Sequence, residues 1–157
     1  MPTQRGLNLS LIAAMSKSGL IHYRTVVKGI NSELFQSFLG KVSSLIGEEN
    51  PASFFDNCRS HLNATGLFQS HHTKRLPPYS SFLNPIEEMF SFLKTRIPSK
   101  LAAHSDFHLQ LNSSAKIEWL RNEIKQCLVH IDETKCKTWI KHSKTFYPKC
   151  ILEENIE

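Results

Sequence analysis

Asp56 and Glu87 are the residues of this chain best placed to do chemistry. Asp56 closes the run Ala52-Ser53-Phe54-Phe55, which reads as a short buried strand ending in a carboxylate and the amide of Asn57. Glu87 opens a helix whose start is written in residue types. Asn84 is a good N-cap, and Pro85 suits the first helical position, where an amide has no partner to lose. Glu87 and Glu88 then fall in the first turn, where the helix dipole stabilises negative charge. Carboxylates held at a fixed height are hard oxygen donors suited to a divalent cation. Taken singly, each acid has a plainer reading: Asp56 caps a turn, and Glu87 answers a dipole.

The elements that must position these acids lie on either side. Leu76-Pro77-Pro78-Tyr79 cannot be regular structure, because two successive prolines fix φ and remove two backbone donors. Beyond it, Met89, Phe90, Leu93 and Ile97 recur at helical spacing, and the helix should run to about Arg96, where Pro98 ends it. Between the two acids there is room for a short helix, Arg59 to about Phe68, and a strand returning through His71 to Leu76. Acids at the carboxyl ends of parallel strands are where α/β sheets place their chemistry.

Upstream, Leu7 to Ala14 and Leu20 to Val27 flank the turn Ser16-Lys17-Ser18-Gly19 and predict an antiparallel hairpin. Asn31 or Ser32 caps a helix buried through Leu34, Phe35, Phe38, Leu39, Val42, Leu45 and Ile46 and stopped by Gly47. Downstream, 101–114 has no clear period and reads as a loop. A helix over Ala115 to Asp132 turns Ile117, Leu120, Ile124, Cys127, Leu128 and Ile131 inward. A last one, Glu133 to Ser143, packs Cys136, Trp139 and Ile140. The order β-β-α-β-α-β-α-α-α predicts an α/β mixed sheet flanked by helices.

Composition sets the outer limits. The 157 residues are enough for one domain with a real core, at 40% hydrophobic and 21% charged. Nineteen basic against fourteen acidic residues give a net charge of +5, compatible with a nucleic-acid partner and equally with a mildly basic solvated surface. No apolar run approaches the ~20 residues that span a bilayer, so no membrane partner is expected. The N-terminus does not read as a signal peptide. The four cysteines then predict free thiols rather than a disulfide framework. No repeat, low-complexity tract or linker interrupts the chain.

With these residues in view, the chain resembles the catalytic domain of a mariner-superfamily, DDE-type cut-and-paste transposase. Arg5 to Ala14 with Gly19 to Tyr23 resembles that domain's hairpin, and Asn31 to Phe35 the start of its first helix. Asp56-Asn57-Cys58-Arg59-Ser60-His61 matches Asp-Asn-Ala-x-x-His, with Cys58 for the alanine. Leu76 to Glu87 matches Leu-Pro-Pro-Tyr-Ser-Pro-Asp-Leu-Asn-Pro-Ile-Glu, with Ser81-Phe82 in place of Pro-Asp. The likeness is good over residues 5 to 97 and looser to Cys150.

The resemblance implies a ribonuclease H-like fold. It further implies three acids holding two Mg²⁺ or Mn²⁺ ions that activate water and the DNA 3′-hydroxyl for in-line attack on phosphodiesters. Carried over, Asp56 is the second acid and Glu87 the third, both catalytic and metal-binding, with Asn57, His61 and Asn84 in support. Glu88 is read as the neighbouring surface carboxylate. Lys94, Arg96 and Lys100 are candidates for DNA contact. The implied partner is DNA, with a homodimer allowed and no small-molecule cofactor; the implied location is the nucleus of a eukaryotic cell, and otherwise the cytoplasm.

The first acid has no counterpart. In the family it precedes the hairpin, in the strand at the centre of the sheet, and here no Asp or Glu precedes Glu33. The expected fold therefore lacks the first central strand. Residues 1–100 would form a partial ribonuclease H-like domain, and 101–157 its C-terminal helical extension. Two functions are open: a metal-dependent DNA strand-transfer domain completed by upstream residues, or a catalytically dead, transposase-derived module that binds DNA or protein. A relic that does not fold stably is a third.

Other clusters carry less. Cys127, His130, Cys136, His142 and Cys150 have spacings too irregular for zinc, and no Cys-x-x-Cys pair exists. Lys94, Arg96 and Lys100, with Lys116, Arg121, Lys125, Lys135, Lys137, Lys141 and Lys144, could track a phosphate backbone, but spread along helices they read as a solvated face.

Overall fold

The hairpin forms as its apolar runs predict. In the computed structural model, which describes residues 9–47, 53–55, 73–77, 80–103 and 112–151, β1 (Leu9–Ser16) pairs antiparallel with β2 (Gly19–Val27). The register runs from Leu9 opposite Val27 to Ser16 opposite Gly19, with an irregularity between Ala14 and Met15. The turn is tight because Gly19 takes φ +139°, a region closed to most side chains, and the Ser18 amide donates to Ser16 Oγ.

Helices cover both faces of this hairpin. On one face lies α1 (Ser32–Ile46), entered through Asn31, whose Oδ1 accepts from the Leu34 amide at 2.8 Å, and ended by Gly47 at φ +73°. Its Phe35, Phe38, Leu39 and Val42 are buried with Ile12, and Ala14 and Ile21 pack on the cluster. Each such side chain contributes roughly 1.5–3 kcal/mol by leaving water. The other face presents Leu9, Leu11, Ala13 and Met15 to a second core built on Met89, Leu93, Ile124, Cys127, Leu128, Ile131 and Cys136.

That second core belongs to α2 (Ile86–Ala103), α3 (Ser113–Leu128) and α4 (Glu133–Thr145), with the short α5 (Tyr147–Ile151) after them. Asn112 caps α3 through the Ala115 amide, and Asp132 caps α4 through the Lys135 amide. Among the described residues no helix is long and apolar enough to cross a membrane.

β3 (Ser53–Phe55) and β4 (Thr73–Arg75) pair in parallel, Ser53 opposite Thr73 and Phe55 opposite Arg75. Among the described residues the strands form two separate two-stranded sheets, and β1 is bonded to β2 alone. A strand covered by helices on both faces yet paired along one edge has the surroundings of a sheet interior without its second neighbour.

Two expected boundaries are wrong. The α3 helix stops at Leu128 rather than near Asp132, which instead caps α4. Pro98 does not end the third helix, which runs through it to Ala103. The ring holds φ at a helical value, yet it removes the bond its amide would have given to the Lys94 carbonyl and crowds that carbonyl, so the helix continues at a cost of ~3 kcal/mol. Consequently 101–103 are helical and Ser113-Ser114 open α3, which leaves 104–111, outside the described residues, as what remains of the expected loop. The predicted helix over Arg59 to Phe68 also lies outside the described residues.

Candidate metal centre

The route into the Glu87 turn is fixed step by step. Leu76 is buried at the end of β4, and Ser81–Leu83 makes a single 3₁₀ turn that buries Leu83. The Leu83 amide donates to the Ser80 carbonyl and the Asn84 amide to that of Ser81. Asn84 then closes the helix start as its residue type predicts: its carbonyl accepts from the Glu87 amide at 3.1 Å, and its Oδ1 from the Ile86 amide at 3.4 Å. The regular helix starts one residue after Pro85, at Ile86.

Glu87 and Glu88 are both half-buried in the first turn of α2 and have different surroundings. Glu88 Oε1 accepts a hydrogen bond from His142 Nδ1 on α4 at 2.6 Å. His142 meets Phe146 edge-on at a centroid distance of 5.2 Å, and Phe146 meets Phe82 of the 3₁₀ turn at 5.4 Å. The end of α4 thus grips the chain on both sides of Asn84-Pro85. Just behind, Met89 is completely buried and Leu93 nearly so, which anchors α2 against α3 and the hairpin. Ser81-Phe82, the departure from the family pattern, gives the loop an aromatic contact where the family has Pro-Asp.

Sequence reasoning misses this grip. His142 enters it only as a poorly spaced zinc ligand, and a contact between residues 54 positions apart leaves no local period. Phe146 carries no signal of its own. Among the described residues no three His, Cys, Asp or Glu side chains converge on one point. Cys127 and Cys136 are buried in the core and Cys150 is exposed. Burial pushes the Cys136 thiol up, away from the thiolate that zinc binds.

Asp56, Asn57 and His61 lie outside the described residues; what is described is the frame around them. Asp56 follows Phe55, the last residue of β3, and β3 is parallel to β4, from whose own carboxyl end the chain leads to Glu87. In sequence, then, Asp56 comes directly after one strand of a parallel pair, and Glu87 follows the other strand by way of the proline loop and the 3₁₀ turn.

Of the candidate DNA contacts, Lys94 is exposed on α2. Arg96 holds its guanidinium 4.5 Å from the Phe92 ring centre, with Lys135 Nζ at 5.9 Å from the same ring. Lys100 is in α2, its side chain outside the described residues.

No curated protein sequence matches the chain. The solved structures that match it include the Mos1 transposase paired-end complex with the left transposon end, at 17% identity and TM-score 0.67, and the Mos1 strand transfer complex, at 18% and 0.62. Each match covers 98% of this chain and 45% of the other, so the chain spans less than half the length of the proteins it resembles. At these identities the likeness is one of fold, and that fold is the ribonuclease H-like α/β arrangement. The profile of the DDE superfamily endonucleases matches residues 1–110, taking in the hairpin, the Asp56 block and the proline loop with Glu87. By that match over most of its length, the chain belongs to the DDE superfamily endonuclease family.

Proposed function

We propose that the chain is the part of a transposase-type DNA endonuclease that carries the second and third acids. Asp56 and Glu87 would be ligands of a divalent cation, and the first acid would come from outside residues 1–32, which contain no Asp or Glu. The observation that carries this is the parallel pairing of β3 with β4, which starts both acid-bearing segments from one edge.

The donor set fits the ion. Two carboxylates with water and a phosphate oxygen are a normal complement for Mg²⁺ or Mn²⁺. When bound, such ions polarise the phosphodiester and lower the pKa of the attacking water. The chain's own residues supply position. Asn84 fixes the first turn of α2, Met89 and Leu93 anchor it, and His142 engages the neighbouring Glu88. Asn57 and His61 support Asp56, and Lys94, Arg96 and Lys100 meet the DNA backbone.

Nicking of supercoiled plasmid in Mn²⁺ tests this, with the chain alone and with the chain extended upstream by a strand bearing an aspartate. The extended chain should cleave, and Asp56→Ala or Glu87→Ala should each cost at least ~100-fold, as loss of a central charge-stabilising group does. The chain alone should not cleave. Robust cleavage by the chain alone, abolished by Asp56→Ala, would show that no outside acid is needed. Cleavage by the extended chain that survives both substitutions would end the proposal.

A second reading, an inert module that binds DNA or protein, is favoured by the same lack of acids before Glu33. It predicts DNA binding without cleavage in both forms.

A further inference from the structure

Between β2 and α1, on the opposite face of the hairpin from α2, lies an open groove of about 460 Å³. It is lined by His22, Tyr23 and Arg24 from the strand and by Ser37, Phe38 and Lys41 from the helix. We infer that this groove is a second docking site for the phosphate backbone of duplex DNA, separate from the acid-bearing edge; the inference rests on the DNA-endonuclease reading above.

Charge is the first argument. Among the described residues no carboxylate lines the groove, while two permanent cations and an imidazole do. The neighbouring acid on α1, Glu33, is eight residues and so about 12 Å along the axis from Lys41. On the other face some cations are paired, while Lys94, Lys116, Lys125, Lys141 and Lys144 are in no ion pair among the described residues. There Arg121 is paired with Glu118, Lys135 with Asp132, Lys137 with Glu133 and His142 with Glu88. Arg24 and Lys41, both exposed, are in no ion pair among the described residues. Cations left unpaired beside one another on two different elements raise a local positive potential that a polyanion would relieve.

Shape and support are the second argument. The His22 ring stacks on Phe38 at a centroid distance of 5.3 Å and 22° between planes, and Phe38 is itself fixed in the α1 core. The imidazole is therefore held at the groove floor rather than swinging in solvent. Exposed Ser37 adds a hydroxyl donor of the kind that positions phosphates without reading sequence.

Fluorescence anisotropy of the full chain with a labelled random-sequence 30-base-pair duplex, from about 50 to 200 mM salt, decides the matter. Arg24→Gln/Lys41→Gln is compared with the native chain and with Lys94→Gln/Arg96→Gln. Removing two phosphate-binding cations from the groove should lower the slope of log K against log salt by about 1.8 and weaken binding roughly tenfold or more. All the exchanged side chains are exposed, and a thermal melt confirms that the fold persists. A native chain that binds with its slope unchanged by the groove variant, but lowered by Lys94→Gln/Arg96→Gln, would overturn the groove and leave the DNA reading standing. A native chain that binds no DNA at any salt would overturn the DNA reading itself. Binding of phosphatidylserine vesicles through Arg24 and Lys41, with none of DNA, would assign the groove to a membrane surface instead.

Discussion

His142 Nδ1 lies 2.6 Å from Glu88 Oε1, and this one hydrogen bond ties the last turn of α4 to the first turn of the acid-bearing helix. It works together with the aromatic chain from His142 through Phe146 to Phe82. The helices after residue 112 are thus more than an appendage: they hold the segment that presents Glu87.

The two parts of this grip should differ in weight. His142 and Glu88 are 55% and 36% exposed, so their pairing is worth only ~0.2–1 kcal/mol in a double-mutant cycle of His142→Ala and Glu88→Gln. The Phe82–Phe146 contact should be worth about 0.5–1.5 kcal/mol beyond its buried area. Hydrogen exchange at the Ile86 and Glu87 amides reads the local effect, and Phe82→Ala should speed exchange there more than His142→Ala does. The reverse order would make the ion pair the main restraint.

Core substitutions near this junction should act in opposite directions. Met89 is fully buried, and Met89→Ala should cost about 2–5 kcal/mol and lower Tm steeply. Ser143 is 1% exposed, and its hydroxyl has no hydrogen-bond partner among the described residues. Ser143→Ala removes an unsatisfied buried group and should stabilise the chain by about 1 kcal/mol. A destabilised Ser143→Ala, measured by urea melts, would mean that the hydroxyl is bonded in solution.

Acid should loosen α4 at its N-terminus. The Lys135 amide donates to the Asp132 carboxylate and holds it below the usual aspartate range. With the folded pKa below the unfolded one, the cap's contribution is complete above the unfolded pKa and is lost as pH falls through the folded value. Asn caps equally well without titrating. Asp132→Asn should therefore match the native chain in Tm at neutral pH and lose less as pH falls through and below the usual aspartate range. Identical acid limbs for the two chains would contradict the cap.

Much of this is legible in the sequence because it is encoded locally. Asn31 and Gly47 bound α1 as their types require, the alternating runs around Gly19 form the hairpin, and Asn84 closes the Glu87 helix start. The periodic Ile117, Ile124, Cys127 and Leu128 are buried as their spacing demands. What escapes is non-local or permissive. Pro98 reads as a stop, yet the helix runs through it despite the lost bond and the crowded Lys94 carbonyl. Phe82, His142 and Phe146 meet across the chain, and no window of sequence contains their contact. The basic groove is hidden likewise, since Arg24 and Lys41 belong to different elements and only the packing of α1 on β2 brings them together.

The central claim is that Asp56 and Glu87 share one cation. Crystals of the chain soaked in Mn²⁺ and measured at the manganese absorption edge test it most directly. The account predicts an anomalous peak with one carboxylate oxygen of Asp56 and one of Glu87 both at about 2.0–2.6 Å. A peak held by Glu88 in place of Glu87, or Asp56 and Glu87 carboxylates facing opposite sides of the molecule with no ion between them, would contradict it.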